Sequence, residues 1–150
     1  ISKNSLRQIT SLLASQYGAQ IQWIRAYYIV GDDAHGSSIF SKLLAAANEG
    51  KTTFPFTTGK NLYDFISITE LARQISAVVA QNQIDGIINV CTGKPMSLAE
   101  RVEAYIHENN LGLTLQYGAF PDRPYDSPGV WGDATKIAQS LALSGESLEA

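Results

Sequence analysis

The segment Asp122-Arg123-Pro124-Tyr125-Asp126 carries the side chain best suited to bind an anion. A guanidinium can bond two phosphate oxygens at once, and the adjacent proline restricts the backbone of the loop that holds it. Arg123 is therefore a candidate contact for an anion. The alternative is a surface arginine that pairs with Asp122 or Asp126 and binds no ligand. The sequence leaves both interpretations open.

Metal and thiol chemistry have little support in the residue pattern. The two histidines, His35 and His107, are too scattered to suggest a shared metal site, and we predict none. Asp32 and Asp33 lie next to His35, where an acidic surface turn is favoured over an acid–base or metal cluster. The single cysteine, Cys91, lies at the end of an apolar run without a histidine at a telling spacing. We interpret it as a buried, unreactive thiol.

Composition is that of an ordinary globular protein. The chain has 150 residues, of which 45% are hydrophobic and 17% charged, and this length suffices for one domain. A net charge of −3 argues against a nucleic-acid partner, which requires clustered Lys and Arg. No apolar run predicts a membrane span, and the lone cysteine favours a reducing, cytoplasmic location. The start Ile1-Ser2-Lys3 lacks Met, so we expect a piece of a larger protein.

Helical and strand patterns alternate along the chain, which predicts an α/β fold. The predicted helices run from about 2 to 17, from Ser37 or Ser38 to near Gly50, from Thr69, and over 97–109 and 133–141. The predicted strands cover 21–30, 52–57, 62–67, 87–91 and 113–117. The 21–30 segment is apolar on both alternating sets, as is typical of a central parallel strand. The glycines near 31–36 and 86–93 lack the spacing of a dinucleotide phosphate loop.

Five segments occur in the order known from one enzyme family. They are Ile1-Ser2-Lys3 before a helix, Arg25–Gly31, Gly59 with Tyr63–Ala72, Asn89–Gly93 with Ser97, and Arg123–Asp126 with Asp133 and Lys136. This order resembles the C-terminal half of the extended short-chain dehydrogenases/reductases, the NAD-dependent epimerases, dehydratases and reductases of nucleotide sugars. The resemblance covers nearly the whole chain. It implies the last part of a Rossmann-type parallel sheet together with the small substrate-binding lobe.

The resemblance also implies a division of the chain. Residues 1–36 would be the remainder of the dinucleotide-binding domain, 37–143 mainly the substrate-binding lobe, and 144–150 a frayed tail. The full-length parent would use NAD or NADP, whereas we expect this chain alone to bind neither. We expect a homodimer formed through the helix over 2–17, as is common in the family.

A catalytic role for Lys3 follows from the same resemblance. The segment before the first helix is similar to the end of the family's Tyr-x-x-x-Lys motif, whose tyrosine would lie just before residue 1. A phenol has an ordinary pKa near 10 and needs a nearby cation to act as a base around neutral pH. Lys3 would supply that charge and would also contact the ribose hydroxyls of the cofactor.

Two positions depart from the family pattern on the substrate side. Tyr28 stands where many relatives have an asparagine that touches the sugar diphosphate, and Tyr63 replaces an arginine. An aromatic ring cannot neutralise a phosphate, although it can stack on a base or a sugar. We therefore include both tyrosines with Arg123 as candidate substrate contacts. The alternative functions are a non-catalytic NAD(P)-sensing or partner-binding module and a stand-alone α/β interaction domain.

Overall fold

The computed structural model of the chain describes residues 2–31 and 36–148. Its helices are α1 (Ser2–Gln16), α2 (Ile39–Asn48), α3 (Ile68–Val79), α4 (Leu98–Glu108) and α5 (Thr135–Leu143). Its strands are β1 (Gln22–Ala26), β2 (Tyr28–Val30), β3 (Thr53–Pro55), β4 (Leu62–Tyr63), β5 (Phe65–Ser67), β6 (Gly86–Val90), β7 (Met96–Ser97), β8 (Thr114–Gln116) and β9 (Gly129–Val130). The expected α/β fold is confirmed. No helix in these two ranges is long and apolar enough to cross a membrane.

The chain forms two compact units that alternate along the sequence. The first unit comprises the residues up to Ile29, Ile66–Gly93 and the residues from Gly132 onward. The second unit comprises Val30–Phe65 and Lys94–Trp131. The units are built from separate segments, because the strands that pair come from distant parts of the chain. The assignment of residues 1–36 to the dinucleotide-binding domain and of 37–143 to the substrate-binding lobe stays a prediction.

The first unit is built around a pair of parallel strands. β1 and β6 run in register from Gln22 opposite Gly86 to Ala26 opposite Val90. α3 and α5 pack on each other, and α5 also packs on β6. The fully buried side chains of this core include Ile88 of β6, Val78 of α3 and Ile137 of α5. α1 has no buried residue.

The second unit contains two small sheets. β3 pairs in parallel with β8, and β4 lies between the antiparallel β7 and the parallel β9. Phe40, Leu43 and Val102, from α2 and α4, are the centre of its core. Two local signals fix the starts of these helices. Ser38 accepts a hydrogen bond from the backbone N–H of Ser41, and Ser97 forms the predicted capping box with Glu100.

Three expected elements differ in detail from the structure. The strand over 21–30 is interrupted at Tyr27, which packs against the first unit's core, while Tyr28 and Ile29 are 44% and 48% exposed. The strand over 62–67 is interrupted at Asp64, whose side chain is fully buried. α3 begins two residues earlier than expected, because Ser67 rather than Thr69 accepts the capping hydrogen bond from the N–H of Glu70, at 3.1 Å. The short strands β7 and β9 were not predicted.

Gly59 in the second unit is required both for its backbone conformation and for its lack of a side chain. Its φ is +66°, and an added Cβ would lie 2.7 Å from Cε1 of Phe56 and 2.8 Å from Cβ of Ala99. We expect Gly59→Ala to lower the free energy of unfolding by about 2 kcal/mol, because left-handed strain and overcrowding add. Urea denaturation followed by circular dichroism measures this change.

Gly50 is a matched control for that substitution. Its φ is +73°, yet an added Cβ would meet no atom within 4 Å. Gly50→Ala should therefore show the backbone strain alone, about 1 kcal/mol. Equal losses in the two variants would show that the close contacts around Gly59 contribute nothing.

Candidate functional site

The second unit contains a cavity of about 610 Å³. Its charged lining residues are Lys42, Asp122, Arg123 and Asp126. Its aromatic lining residues are Phe54, Phe56, Tyr63 and Phe120. A space of this size with apolar walls and a few charged groups has the general character of a small-molecule site.

Two regular elements of the second unit form part of the cavity wall. β3 contributes Phe54 and Pro55, and it is fixed by its parallel pairing with β8. α2 contributes Lys42, whose sequence neighbour Leu43 is fully buried and whose other near neighbour Phe40 is 4% exposed. The helix is thus anchored by its apolar face, and Lys42 lies on the exposed side that borders the cavity.

The loop that carries Arg123 is held in place by hydrogen bonds from the 57–61 segment. The backbone N–H of Thr58 donates to Oδ1 of Asp122 at 3.1 Å, and its hydroxyl donates to Oδ2 at 2.7 Å. The side-chain amide of Asn61 donates to the carbonyl of Ser127 at 2.9 Å. Arg123 lies between these two attachments. Within the described part of the chain it forms no ion pair with Asp122, so the surface-pair interpretation is not supported for that carboxylate.

The bonds from Thr58 lower the pKa of the Asp122 carboxyl below its ordinary value of 3.8, and the positive charge of Lys60 acts in the same direction. A carboxyl whose pKa is depressed in the folded state stabilises that state above its unfolded pKa. The contribution is lost as pH falls through the folded pKa.

An expected result follows for Asp122→Asn. The difference in unfolding free energy between wild type and this variant should be constant from neutral pH to about pH 5. This difference in unfolding free energy should then shrink below pH 3.8, where the Asp122 carboxyl of the unfolded chain takes up its proton. Urea denaturation at a series of pH values provides the measurement. A difference that stays constant down to pH 2 would show that the charge of Asp122 has no part in holding the loop.

The structure brings two of the four predicted site residues together. Tyr63 and Arg123 line the same cavity in the second unit. Tyr63 is half-buried on β4, and its ring meets that of Phe65 edge to face, with centroids 6.0 Å apart. Lys3 and Tyr28 belong to the first unit. Lys3 is exposed in the first turn of α1, and Tyr28 is exposed on β2.

Sequence reasoning missed Lys42 and the attachment of Asp122. Helical periodicity assigned the inward positions of α2 but gave no reason to separate Lys42 from other surface lysines. The partner of Asp122 is Thr58, which is remote in sequence, so no local pattern reveals the pair. Both depend on the fold of the second unit.

Cys91 is fully buried, as predicted. Its thiol donates to the carbonyl of Asn89 at 3.7 Å, and its backbone N–H donates to the side-chain carbonyl of Gln74 at 3.0 Å. Over residues 2–31 and 36–148, no group of three His, Cys, Asp or Glu side chains could hold a metal ion. The cluster of Asp32, Asp33 and His35 lies outside the described residues, as does Ile1.

Comparison with known proteins identifies the protein family. The family described as "NAD dependent epimerase/dehydratase family" matches residues 1–91. A dTDP-6-deoxy-L-talose 4-dehydrogenase (NAD(+)) from Aggregatibacter actinomycetemcomitans is 44% identical over 133 residues, which are 88% of this chain and 49% of the relative. The chain thus spans about half the length of this curated relative.

Two solved structures share the fold. RMD from Pseudomonas aeruginosa in complex with NADPH superposes with a TM-score of 0.79 at 15% identity, over 99% of this chain and 49% of the other. A UDP-N-acetylglucosamine 4-epimerase from Methanobrevibacter ruminantium in complex with UDP-N-acetylmuramic acid gives 0.69 at 22% identity, over 91% and 45%. The matched family profile, which covers more than half of the chain, agrees with the resemblance found in the sequence. The chain belongs to the NAD-dependent epimerase/dehydratase family, the nucleotide-sugar branch of the extended short-chain dehydrogenases/reductases.

Proposed function

We propose that this chain is the C-terminal, substrate-binding part of an NAD(P)-dependent enzyme that acts on a nucleotide sugar. The observation that carries the proposal is the cavity of the second unit, where Arg123 and Lys42 border the same space as four aromatic rings. A guanidinium suits a phosphate of a nucleoside diphosphate, and aromatic faces suit the base and the sugar. The cavity therefore combines the positive charges and the aromatic rings that are suited to bind a nucleotide sugar.

The identity to the Aggregatibacter protein supports a narrower choice of substrate. That relative is named for a dTDP-6-deoxy sugar, for oxidation at C4 and for NAD. Its 44% identity extends over 88% of this chain and so includes residues of the cavity region. We infer that the substrate is a deoxythymidine diphosphate 6-deoxy sugar and that the reaction is hydride exchange between its C4 position and NAD.

Each candidate residue of this chain would have its own role in the proposed reaction. Lys3 would hold the pKa of a tyrosine elsewhere in the intact protein near neutral pH and bond the cofactor ribose. Arg123 would bind the diphosphate, while Tyr63 and Tyr28 would contact the base or sugar. The nicotinamide, when bound, supplies the hydride acceptor. Lys3 fits this role in that its side chain is exposed at the start of α1 and forms no hydrogen bond or ion pair with the described residues.

Binding and activity measurements test the proposed function. The intact protein should bind NAD and deoxythymidine diphosphate, and should reduce NAD when the dTDP-6-deoxy sugar is added, measured by absorbance of the reduced nicotinamide. This chain alone should not bind NAD or NADP with micromolar affinity in a calorimetric titration. Micromolar binding to the chain alone would contradict the assignment of the dinucleotide site to the rest of the protein.

Association through α1 is part of the same proposal. Leu6, Ile9, Leu12 and Leu13 are 57%, 58%, 63% and 47% exposed on this helix. An apolar stripe of this kind is commonly covered by a symmetric partner. Leu12→Glu should convert a homodimer to a monomer in light scattering, while Ser15→Glu, on the same helix outside the stripe, should not. A monomeric wild type at high protein concentration would contradict a dimer.

A further inference from the structure

Lys42 borders the cavity, but the proposed function assigns it no particular contact with the substrate. It lies on α2, whose apolar face is anchored in the second unit's core by Phe40, Leu43 and Ala46, with 4%, 0% and 5% exposure. Ser38 fixes the start of the helix by accepting a hydrogen bond from the N–H of Ser41 at 3.1 Å. The base of the Lys42 side chain is thus held rigidly, while its ammonium is free to reach a ligand in the cavity.

The charges around the cavity leave Lys42 available. Within the described part of the chain, the ammonium of Lys42 forms no hydrogen bond or ion pair. The carboxylate of Asp122 is occupied by the two hydrogen bonds from Thr58. Asp126 also borders the cavity, but it forms no ion pair with Lys42 or Arg123.

A nucleoside diphosphate needs more than one positive group. Each phosphate of the bridge carries a negative charge, and one guanidinium can match the oxygens of one phosphate well. Tyr63 lines the cavity but is neutral and cannot supply the second charge. Among the described residues, Lys42 is the other cation that lines the cavity. A lysine serves as a point charge for phosphate even without the fork geometry of arginine.

We propose that Lys42 is the second cation for the diphosphate of the substrate and makes the site selective for two phosphates over one. This inference rests on the proposed function. Arg123 and Lys42 approach the cavity from different elements, a loop and a helix. The two phosphates are therefore bound by separate groups, and the ligand with one phosphate loses one of the two contacts.

Lys51 provides a matched control. It lies close by in the second unit, where it borders a separate groove of about 380 Å³ that Lys42 also borders. Its ammonium is 2.6 Å from Oε2 of Glu49. Lys51 does not line the cavity with Arg123. Its removal changes the local positive charge by the same amount without touching the cavity.

Calorimetric titration of the intact protein with deoxythymidine diphosphate and deoxythymidine monophosphate tests the role of Lys42. At low salt, Lys42→Gln should weaken diphosphate binding by about three- to ten-fold and monophosphate binding by less. Lys42→Arg should stay within about twofold of wild type, as should Lys51→Gln. Half-molar salt should shrink the difference between wild type and Lys42→Gln, because it screens exposed charges.

The outcomes separate the two proposals. If wild type binds diphosphate and Lys42→Gln binds it equally well, Lys42 has no role and the proposed function stands. If Lys51→Gln loses as much affinity as Lys42→Gln, general surface charge explains the effect and the inference is wrong. A uniform loss for both ligands that Lys42→Arg does not rescue would indicate a structural role instead. Absence of any diphosphate binding by wild type would overturn both proposals.

Discussion

Replacing Lys3 by Met should lower kcat of the intact enzyme by about 10²–10⁴-fold, the range typical of lost general acid–base catalysis. Methionine preserves most of the side-chain length but removes the charge. Without that charge, the tyrosine partner would return toward the ordinary phenol pKa near 10 and would be protonated around neutral pH. KM for the nucleotide sugar should change much less, because Lys3 would contact the cofactor and not the nucleotide sugar.

The pH profile distinguishes this role from a structural one. Loss of Lys3 should shift the acidic limb of the pH profile of log kcat to higher pH, toward the pKa of a free phenol, so that part of the activity returns at high pH. Lys3→Arg keeps a positive charge and should recover part of the lost rate. If the loss of activity in Lys3→Met came only from a damaged fold, the limb would keep its wild-type position and the charge of Lys3→Arg would not recover the rate.

Arg7 is the matched control for Lys3. It lies one turn later on α1, is half-buried, and its guanidinium donates to Oδ1 of Asn4 at 3.1 and 3.2 Å. Because α1 has no buried residue, neither substitution should affect the stability of the fold. Arg7→Met should leave kcat within about twofold. If Lys3→Met also does so, the family alignment at the start of this chain is wrong.

Elements with strong local signals could be predicted from the sequence. The α4 helix begins at Leu98, directly after the predicted cap at Ser97, because the capping box requires only residues four positions apart or fewer. Cys91 was correctly placed in the interior because its neighbours on β6 are apolar. These features are decided by short-range hydrogen bonding and by local hydrophobicity.

Features that depend on tertiary contacts could not be predicted. The buried face of α3 includes Glu70 and Gln74, which no hydrophobic pattern selects. Gln74 is tolerated there because its side-chain amide donates to Glu70 at 2.8 Å and to the carbonyl of Cys91 at 3.1 Å. The interleaving of the units has the same cause, since the pairing of β1 with β6 is specified by distant segments. The position of Lys42 on the cavity wall also depends on tertiary contacts, so it could not be predicted from the sequence.

The candidate site was predicted only in part, because one of its contacts joins residues that are far apart in the sequence. Arg123 and Tyr63 were selected by the family resemblance, and the second unit places both on one cavity. The Thr58–Asp122 contact that holds the loop beside Arg123 is not visible in the sequence, where Asp122 was considered as a partner of Arg123 itself. Whether an arginine is free for a ligand depends on which donor the nearby carboxylate has already bound.

Arg123→Ala should raise KM for the nucleotide sugar about ten- to hundred-fold and leave NAD affinity nearly unchanged. A charged hydrogen-bonded contact contributes roughly 1.5–3 kcal/mol, which corresponds to this range of affinity. The loss should be large because the aromatic ring of Tyr63, on the same cavity, cannot replace the guanidinium. Steady-state kinetics on the intact enzyme, with KM and kcat determined separately, provides the measurement.

Two further variants make the result specific to Arg123. Arg123→Lys should recover only part of the affinity, since an ammonium cannot form the paired bonds of a guanidinium. Lys60→Ala removes an exposed cation of the same unit that does not line the cavity, and it should keep KM within about twofold. If Arg123→Ala instead leaves kcat/KM within about twofold of wild type, Arg123 is a structural surface residue. The diphosphate must then be bound elsewhere, because Arg123 carries the only guanidinium on this cavity wall within the described residues.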